Sequence, residues 1–479
     1  MTYEDLHDFL DDRKRKNDFL EIETPVERDL ELTWILSEEE RIGDKRTMLF
    51  SNVKGSEIPV AGNLFSTEGK MHDILGGDPG QIGNDLVNLI RPPRESGSML
   101  LKGMEMLKEL SGLRPKIHEK LPSTHRVLDS VDLTRYPICK TWPEDAGPFV
   151  TLPVVITRDP VTGIRNAGMY RLQMYDSETM GMHWQIHKDG SRNYQENRGK
   201  IMDVSVTLGT DPLAIFSAVA PLPEMLDEFS FWGLLSKKRM DLVKGQTVGL
   251  EYPMNSEIVL EGYVDTSETK MEGPFGDHTG YYSLAEEFPV FHVKKVIERK
   301  NPVYPTTIVG KLWHEDVIMG KAIERLFLPL VKMQIPEIVD MNTMEEAVFH
   351  NMVVVSIRKR YPGHAKKVMF SIWGTGQLMF SKIVLVVDPD VDVHDRKQVI
   401  WAMTTRIDPA RDVVIIPNTH TDSLDHASPL FNLGSKMGID ATRKWKTEGY
   451  DREWPEALTM SRDIEERVDQ LRKSKWNQP

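Results

Sequence analysis

Glu272 and Asp277 stand five residues apart in the segment Glu-Gly-Pro-Phe-Gly-Asp-His-Thr-Gly, residues 272 to 280, and two carboxylates at that spacing could do acid/base chemistry. Pro274 and the glycines at 273, 276 and 280 forbid a regular helix and fix the directions of the two side chains. A solvated surface turn is the competing reading, because Gly/Pro turns with acids are common.

Further chemistry-bearing residues lie upstream. Asn166-Ala-Gly-Met-Tyr-Arg171 places an amide, a glycine and a guanidinium within six residues. On a strand, alternation puts Asn166, Gly168 and Tyr170 on one face and Met169 and Arg171 on the other, unless a bulge re-aims one of them. His183-Trp184-Gln185-Ile186-His187 adds two imidazoles and an indole, and Glu228 adds an acid half-buried by its aromatic neighbours. A lone histidine on a sheet is usually structural. Together, Asn166, His187 and Glu228 would supply a mostly hard ligand set suited to Mn²⁺ or Mg²⁺.

These groups must be held by several elements. Leu6, Phe9 and Leu10 recur at helical spacing and Phe19-Leu-Glu-Ile reads as a strand, which predicts a small N-terminal α/β domain. From about Val127, β-branched runs at Pro153 to Thr157, Ser205 to Leu208, Glu257 to Val264 and Pro289 to Ile297 predict a barrel-like antiparallel sheet. From Asn351 the pattern becomes a strand (352–357), a helix (364–373), a strand (383–387), a helix (396–406) and a strand (413–416), which predicts right-handed parallel crossovers. Ile464, Val468 and Leu471 mark a terminal helix that docks on its own chain or a neighbouring subunit. The basic cluster Arg358-Lys-Arg360 with Lys366 and Lys367 is either a phosphate patch or, more commonly, a solvated face.

Composition narrows the class. At 479 residues the chain exceeds one ordinary core, so two or three domains are expected. A net charge of -13 offers no basic footprint for nucleic acid. The single cysteine, Cys139, excludes an intramolecular disulfide and any Cys-based zinc site, and favours a reducing compartment. The acidic N-terminus does not read as a secretory signal, and no apolar run reaches the 18 or so residues of a membrane span. A cytoplasmic protein is expected, one to which a lipid substrate would have to come.

The Asn-x-Gly-x-Tyr-Arg motif at 166–171, the Trp/His segment at 182–187, Glu228 and Glu-Gly-Pro-Phe-Gly-Asp-His-Thr-Gly-Tyr-Tyr at 272–282 together resemble the UbiD family of decarboxylases, which use prenylated FMN. The resemblance continues through Thr141-Trp-Pro-Glu-Asp145, Lys359 to Lys366, Asp408-Pro-Ala-Arg-Asp412 and Leu433 to Thr442, and so covers nearly the whole chain. It implies an α+β multidomain fold: an N-terminal α/β domain (1–125), a split β-barrel like that of flavin reductases that binds the cofactor (126–310), and a C-terminal α/β oligomerisation domain with a terminal helix (311–479). It implies Asn166, His187 and Glu228 as ligands of a divalent metal that bridges to the cofactor phosphate, with K⁺ nearby. It implies Met169, Tyr170, Arg171, His183, Trp184, Gln185 and Lys188 around the flavin, and Arg171, Glu272 and Asp277 as the catalytic ionic network. A flavin prenyltransferase would supply the cofactor to a homo-oligomer, a dimer or a hexamer.

Such a cofactor has a physical rationale. Loss of CO₂ from an aromatic carbon leaves a carbanion whose electrons have nowhere to go, and one acid or base supplies only about 10²- to 10⁴-fold. The electron sink must be the cofactor's. Asp277 is then expected to be the general acid, its pKa raised by desolvation, while Arg171 holds Glu272 ionised. The residues after Asp277 and those at 424–438 look like the quinone-biosynthesis branch. His183 stands where ubiquinone-type members usually carry Arg, and Lys311-Leu-Trp-His-Glu-Asp316 with Lys321 to Arg325 looks closer to menaquinone-type members. A polyprenylated 4-hydroxybenzoate and a naphthoate both remain credible aromatic acid substrates, and the alternative is a flavin-binding or flavin-transfer protein without decarboxylase activity.

Overall fold

A computed structural model of the chain describes residues 3–90, 112–223, 226–311 and 314–473. Parts of the sequence readings, residues 1–2 and 91–111 of the N-terminal domain, 224–225 of the central one, and Leu312-Trp313 of the Lys311 motif with 474–479 of the C-terminal one, lie outside the described residues.

The helix Leu6–Arg15 buries Leu6, Phe9 and Leu10 and is capped by Asp5, whose side chain accepts the Asp8 N–H. The strand Phe19–Ile22 follows and pairs in parallel with Thr47–Phe50. With Val60–Gly62 and Tyr304–Pro305 these form a four-stranded sheet, so residues near 304 return to complete the N-terminal layer.

The centre is a nine-stranded sheet in which every pairing is antiparallel. Its spine is the long hairpin of Ile258–Glu272 and Glu286–Arg299. Leu172–Met174 and Arg165–Gly168 lie six neighbour steps apart in the strand order. Laid flat, six steps span about 29 Å, yet only residues 169–171 link the two strands, a reach of at most about 14 Å. The sheet is therefore strongly rolled, with Met169-Tyr170-Arg171 crossing its seam. Among the described residues no ladder closes that seam, so the sheet is curled and open. The strand state ends at Gly168, and the alternation expected through Arg171 stops there.

Both faces of this sheet are buried, which is why its strands read as near-continuous apolar runs. Val155, Val204, Val206, Leu260 and Val293 belong to one core cluster, and Val154, Ile156, Val259 and Ile297 to another that includes the helices Pro212–Ser217 and Glu228–Ser236.

In the C-terminal sheet Met352–Ile357, Ile383–Val387 and Leu433–Ala441 run parallel. The crossover helix His364–Trp373 buries Ala365, Val368, Met369 and Ile372 in one stripe. It can lie close because Gly438 offers no Cβ, which would sit 2.5 Å from the Met369 sulfur. The third expected parallel strand is corrected: Val413–His420 is an antiparallel edge, and Leu433–Ala441 takes the place beside Ile383–Val387. The terminal helix Arg462–Leu471 forms but buries no residue on its own chain. No helix among the described residues is long and apolar enough to cross a membrane.

Candidate active site

Glu272 is the last rung of the central hairpin, opposite Glu286, and residues 273–285 form its connection. Gly273, at a φ of +89° that L side chains rarely adopt, turns the chain out of the strand through a cis Gly273–Pro274 bond. The Gly273 N–H donates to Gln173 Oε1 at 2.8 Å and the Gly276 N–H to Asp145 Oδ1 at 2.7 Å. The turn is thus stapled at both ends. Trp142 lies over Gly276 so closely that a Cβ there would fall 2.2 Å from its ring, and the indole is pinned by a 2.9 Å hydrogen bond to the Val309 carbonyl. Gly276→Ala is accordingly expected to cost about 1–3 kcal/mol through overpacking, read as a lowered thermal midpoint.

Arg171, coming off the seam, meets both carboxylates. Its Nε and Nη2 donate to Glu272 at 2.8 and 3.1 Å, Nη1 donates to Asp277 Oδ2 at 2.5 Å, and Nη2 also donates to Ser283 Oγ at 3.0 Å. The guanidinium lies 4.5 Å from the Phe275 ring centroid, and Glu272 is 0% exposed. Burial opposes the charge on Glu272, but the hydrogen bond from His183 and the Arg171 charge overcome it and hold the pKa at about 2. Burial and Arg171 together push His183 down, so its neutral ring donates Nδ1–H to Glu272 Oε2 at 3.1 Å.

The expected division between the acids is corrected on one point. Burial alone would raise Asp277, but the hydrogen bond and charge of His278 and the charge of Arg171 outweigh it, and its pKa lies well below the carboxylate range. His278 with Arg171 holds Asp277 ionised, and His183 with Arg171 holds Glu272 ionised. His278 Nδ1 is 2.7 Å from Asp277 Oδ1, and its Nε2 is 2.8 Å from His350 Nε2.

A cleft of about 200 Å³ opens beside this network. His183, Trp184, Gln185 and Ser283 line one side, and Leu424, His426 and Phe431 of the C-terminal segment line the other. Tyr170 folds its ring back over Gly168, and its hydroxyl accepts the Gly190 N–H at 3.2 Å. Met169 packs partly buried on the adjoining core. Trp184 Nε1 is a buried donor with no acceptor among the described residues, and burial lowers the pKa of Lys188, whose ammonium makes no hydrogen bond with a described residue. Those two donors fit an anionic group such as a flavin phosphate.

A second cavity, of about 10 Å³, joins Asn166 and Glu228, which is room for one ion or one water. Asn193 lines it too, and its Oδ1 is a buried acceptor without a partner among the described residues. Glu228 accepts the Ala167 N–H at 2.8 Å, and burial pushes its pKa up to about 8. The oxygens of Asn166, Asn193 and Glu228 around a one-ion space suit a hard divalent cation, although Arg165 and Arg192 also line it and no three His, Cys, Asp or Glu side chains converge there among the described residues. His187 does not line this cavity; its ring lies against Phe380 and His420, at 5.4 and 6.1 Å between centroids. Two of the five residues of the basic cluster are held in ion pairs, Lys359 with Glu448 and Lys367 with Glu337.

Three family models match the chain in succession, all parts of 3-octaprenyl-4-hydroxybenzoate carboxy-lyase: the N-terminal domain at 10–90, the Rift-related domain at 116–312 and the C-terminal domain at 317–441. The chain belongs to the UbiD family. Its class is that of the carboxy-lyases. An uncharacterized protein of Archaeoglobus fulgidus is 47% identical over 482 residues, covering 100% of this UbiD chain and 99% of its own. Among solved structures, the vanillic acid decarboxylase of Sedimentibacter hydroxybenzoicus in closed form is similar with a TM-score of 0.86 at 26% identity, over 99% of both chains. The UbiD-class enzyme HmfF of Pelotomaculum thermopropionicum, in complex with FMN, is similar with a TM-score of 0.78 at 25% identity, over 94% of this chain and 97% of that one.

Sequence reasoning left several residues of this UbiD site unassigned. Phe275 and Ser283, which hold the Arg171 guanidinium, lie in or beside the quoted motif, and their aromatic and hydroxyl character was the available signal. His350, from the turn after the strand Ile338–Thr343, carries no local pattern that would have singled it out.

Proposed function

We propose that this chain removes CO₂ from an aromatic carboxylic acid with the help of prenylated FMN, using Arg171, Glu272 and Asp277 as its catalytic residues. The observation that carries this reading is one guanidinium hydrogen-bonded to two buried carboxylates and to Ser283, which lines the cleft. The flavin would lie against the rolled sheet, which we read as the family's split barrel, over Met169, Tyr170, Arg171, His183, Trp184 and Gln185, with its phosphate toward Lys188. Asn166 and Glu228 would hold Mn²⁺ or Mg²⁺ near that phosphate, with His187 as the third ligand and K⁺ adjacent. The one-ion cavity and the unpaired Asn193 oxygen support the metal, and the FMN in HmfF supports the flavin.

Bound prenylated FMN supplies the electron sink for the carbon that loses CO₂. The protein supplies orientation and protons. Arg171, with its fixed planar charge, orients the substrate carboxylate while keeping Glu272 ionised. Asp277 delivers the proton to the carbon, so it must first gain one against the pull of Arg171. Glu272, tied to Arg171 and His183, positions the guanidinium.

We place the substrate among quinone-precursor acids, polyprenyl-4-hydroxybenzoate or naphthoate. Ile186, Leu284 and Phe431 leave apolar surface exposed around the cleft, as a long apolar substituent requires. The Sedimentibacter relative acts on vanillic acid, also a ring acid. The unburied terminal helix supports a homo-oligomer, dimeric or hexameric, whose neighbour covers it. We place the enzyme in the cytoplasm, supplied by a flavin prenyltransferase.

Protein co-expressed with a flavin prenyltransferase should carry the prenylated flavin by mass and absorption, and release CO₂ from one of the two candidate acids. Bound flavin without CO₂ release on a broad acid panel would instead identify a flavin carrier. For the metal, added Mn²⁺ should raise the thermal midpoint of the purified chain, and Glu228→Gln should remove that increment; an unchanged midpoint in the parent chain would count against the cation.

A further inference from the structure

We propose that His278 and His350 form a proton relay that recharges Asp277 in each turnover, with His350 reaching in from the C-terminal segment to hold His278 in its doubly protonated form. This rests on Asp277 being the proton donor.

The geometry is a continuous hydrogen-bonded line. Asp277 Oδ1 stands 2.7 Å from His278 Nδ1, and His278 Nε2 stands 2.8 Å from His350 Nε2. An ionised carboxylate only accepts, so His278 must carry its proton on Nδ1. Two imidazole nitrogens facing each other at 2.8 Å require one to donate and the other to accept. The backbone N–H of His278 also donates to Asp277 Oδ1, at 2.8 Å, which fixes the ring against that oxygen. The other oxygen, Oδ2, belongs to Arg171. One oxygen of Asp277 therefore faces a fixed charge that cannot give up its proton, and the other faces a group that can.

The delivery of His350 is built at a conformational cost. Val348 and Phe349 both lie at positive φ, +57° and +40°, and a β-branched and an aromatic residue adopt this region only when the surroundings compel it. The turn is pinned by hydrogen bonds from the Phe349 N–H to the Met344 carbonyl and from the Asn351 N–H to the Ala347 carbonyl. Phe349 lies against the His278 ring, with centroids 5.4 Å apart. His350 Nδ1 is buried without a hydrogen-bond partner among the described residues.

Charges around the pair sort the protons. Asp277, Asp316 and Asp422 face His278 and favour its charged form against the cost of burial, so its pKa is raised. His350 faces His278 and Lys188 as well as Asp422 and Asp277; burial and then the His278 charge push it down to about 4. The charged donor is His278 and the neutral acceptor is His350.

The balance is one proton per turnover. The Nδ1–H bond of His278 breaks as the Oδ1–H bond of Asp277 forms, cancelling one positive and one negative charge. Asp277 then loses this proton to the substrate carbon as the C–H bond forms. An O–H bond of water breaks as the Nδ1–H bond of His278 re-forms, and the hydroxide left combines with the released CO₂ as bicarbonate.

Activity should fall as pH rises through the raised pKa of His278, because only the charged form delivers. In the co-expressed holoenzyme, His278→Gln is expected to lower kcat by about 10²-fold or more, with KM little changed and the alkaline limb abolished. His350→Leu keeps the donor but removes its acceptor, and should shift the alkaline limb to lower pH. Histidine ¹⁵N NMR should show both ring nitrogens of His278 protonated at neutral pH in the parent chain, and a lowered titration midpoint in His350→Leu; this readout holds if His278→Gln fails to fold. An alkaline limb and kcat unchanged in His278→Gln, or a neutral His278 at pH 7 in the parent chain, would overturn the relay. If Asp277→Asn is inactive while His278→Gln behaves as the parent, the relay fails alone; if Asp277→Asn retains turnover, the proton-donor reading itself fails.

Discussion

Asp277→Asn is expected to reduce decarboxylation by about 10³- to 10⁴-fold while leaving flavin binding intact. Asparagine is nearly isosteric and keeps an oxygen for the Arg171 Nη1–H or the His278 N–H, so the Gly-Pro-Phe-Gly turn has no steric reason to move. What it cannot do is carry a proton to carbon. The loss should fall on kcat with little change in KM, because Asp277 acts after the substrate is held. Steady-state CO₂ release by parent and variant holoproteins checks this, and absorption of the bound flavin separates lost chemistry from lost cofactor.

Arg171→Ala should be equally inactive and also less stable. It strips the common partner from two buried carboxylates, and leaving buried charge unpaired costs about 3–5 kcal/mol. The pH dependence has a definite sign. In the parent chain the folded pKa of Glu272, at about 2, lies below its ordinary value. Its pairing therefore contributes stability in full above about pH 4.5, and this is lost as pH falls toward 2. Without Arg171 the His183 and His278 contacts remain, but each acid loses a charge that lowers its pKa against burial, so the variant's deficit should be largest at neutral pH and shrink on acidification. Thermal midpoints of the two proteins between pH 4 and 8 measure it. A deficit independent of pH would mean that packing of the arginine stem, rather than its charge, is what was lost.

The elements most legible in the sequence were those buried on both faces. Met352–Ile357 and Ile383–Val387 are unbroken β-branched runs, and the helix between them shows a clean apolar stripe. Their neighbour Leu433–Ala441 was not legible as a strand, because two glycines and a lysine interrupt it; one of those glycines, Gly438, is what lets the helix pack close, and the strand's insertion sends Val413–His420 to the edge. In the site, the pairing of Arg171 with Glu272 was readable from charge and motif. Its simultaneous grip on Asp277 was not, because that depends on how the hairpin connection folds back over the seam. Asn166 and Glu228 meet because the strand Arg165–Gly168 packs beside the helix Glu228–Ser236, a tertiary contact without a local signature. His350 arrives from more than seventy residues away in sequence, and only the strained turn at Val348 and Phe349 aims it.

The most direct measurement is the mass of the product formed by the co-expressed holoprotein in D₂O from a ring acid it accepts. One deuterium at the carbon that lost CO₂, with both product and label abolished in Asp277→Asn, is the expected result. Product formation that persists in Asp277→Asn at the parent rate, with the same label, would contradict the assignment of this carboxylate as the group that delivers the proton.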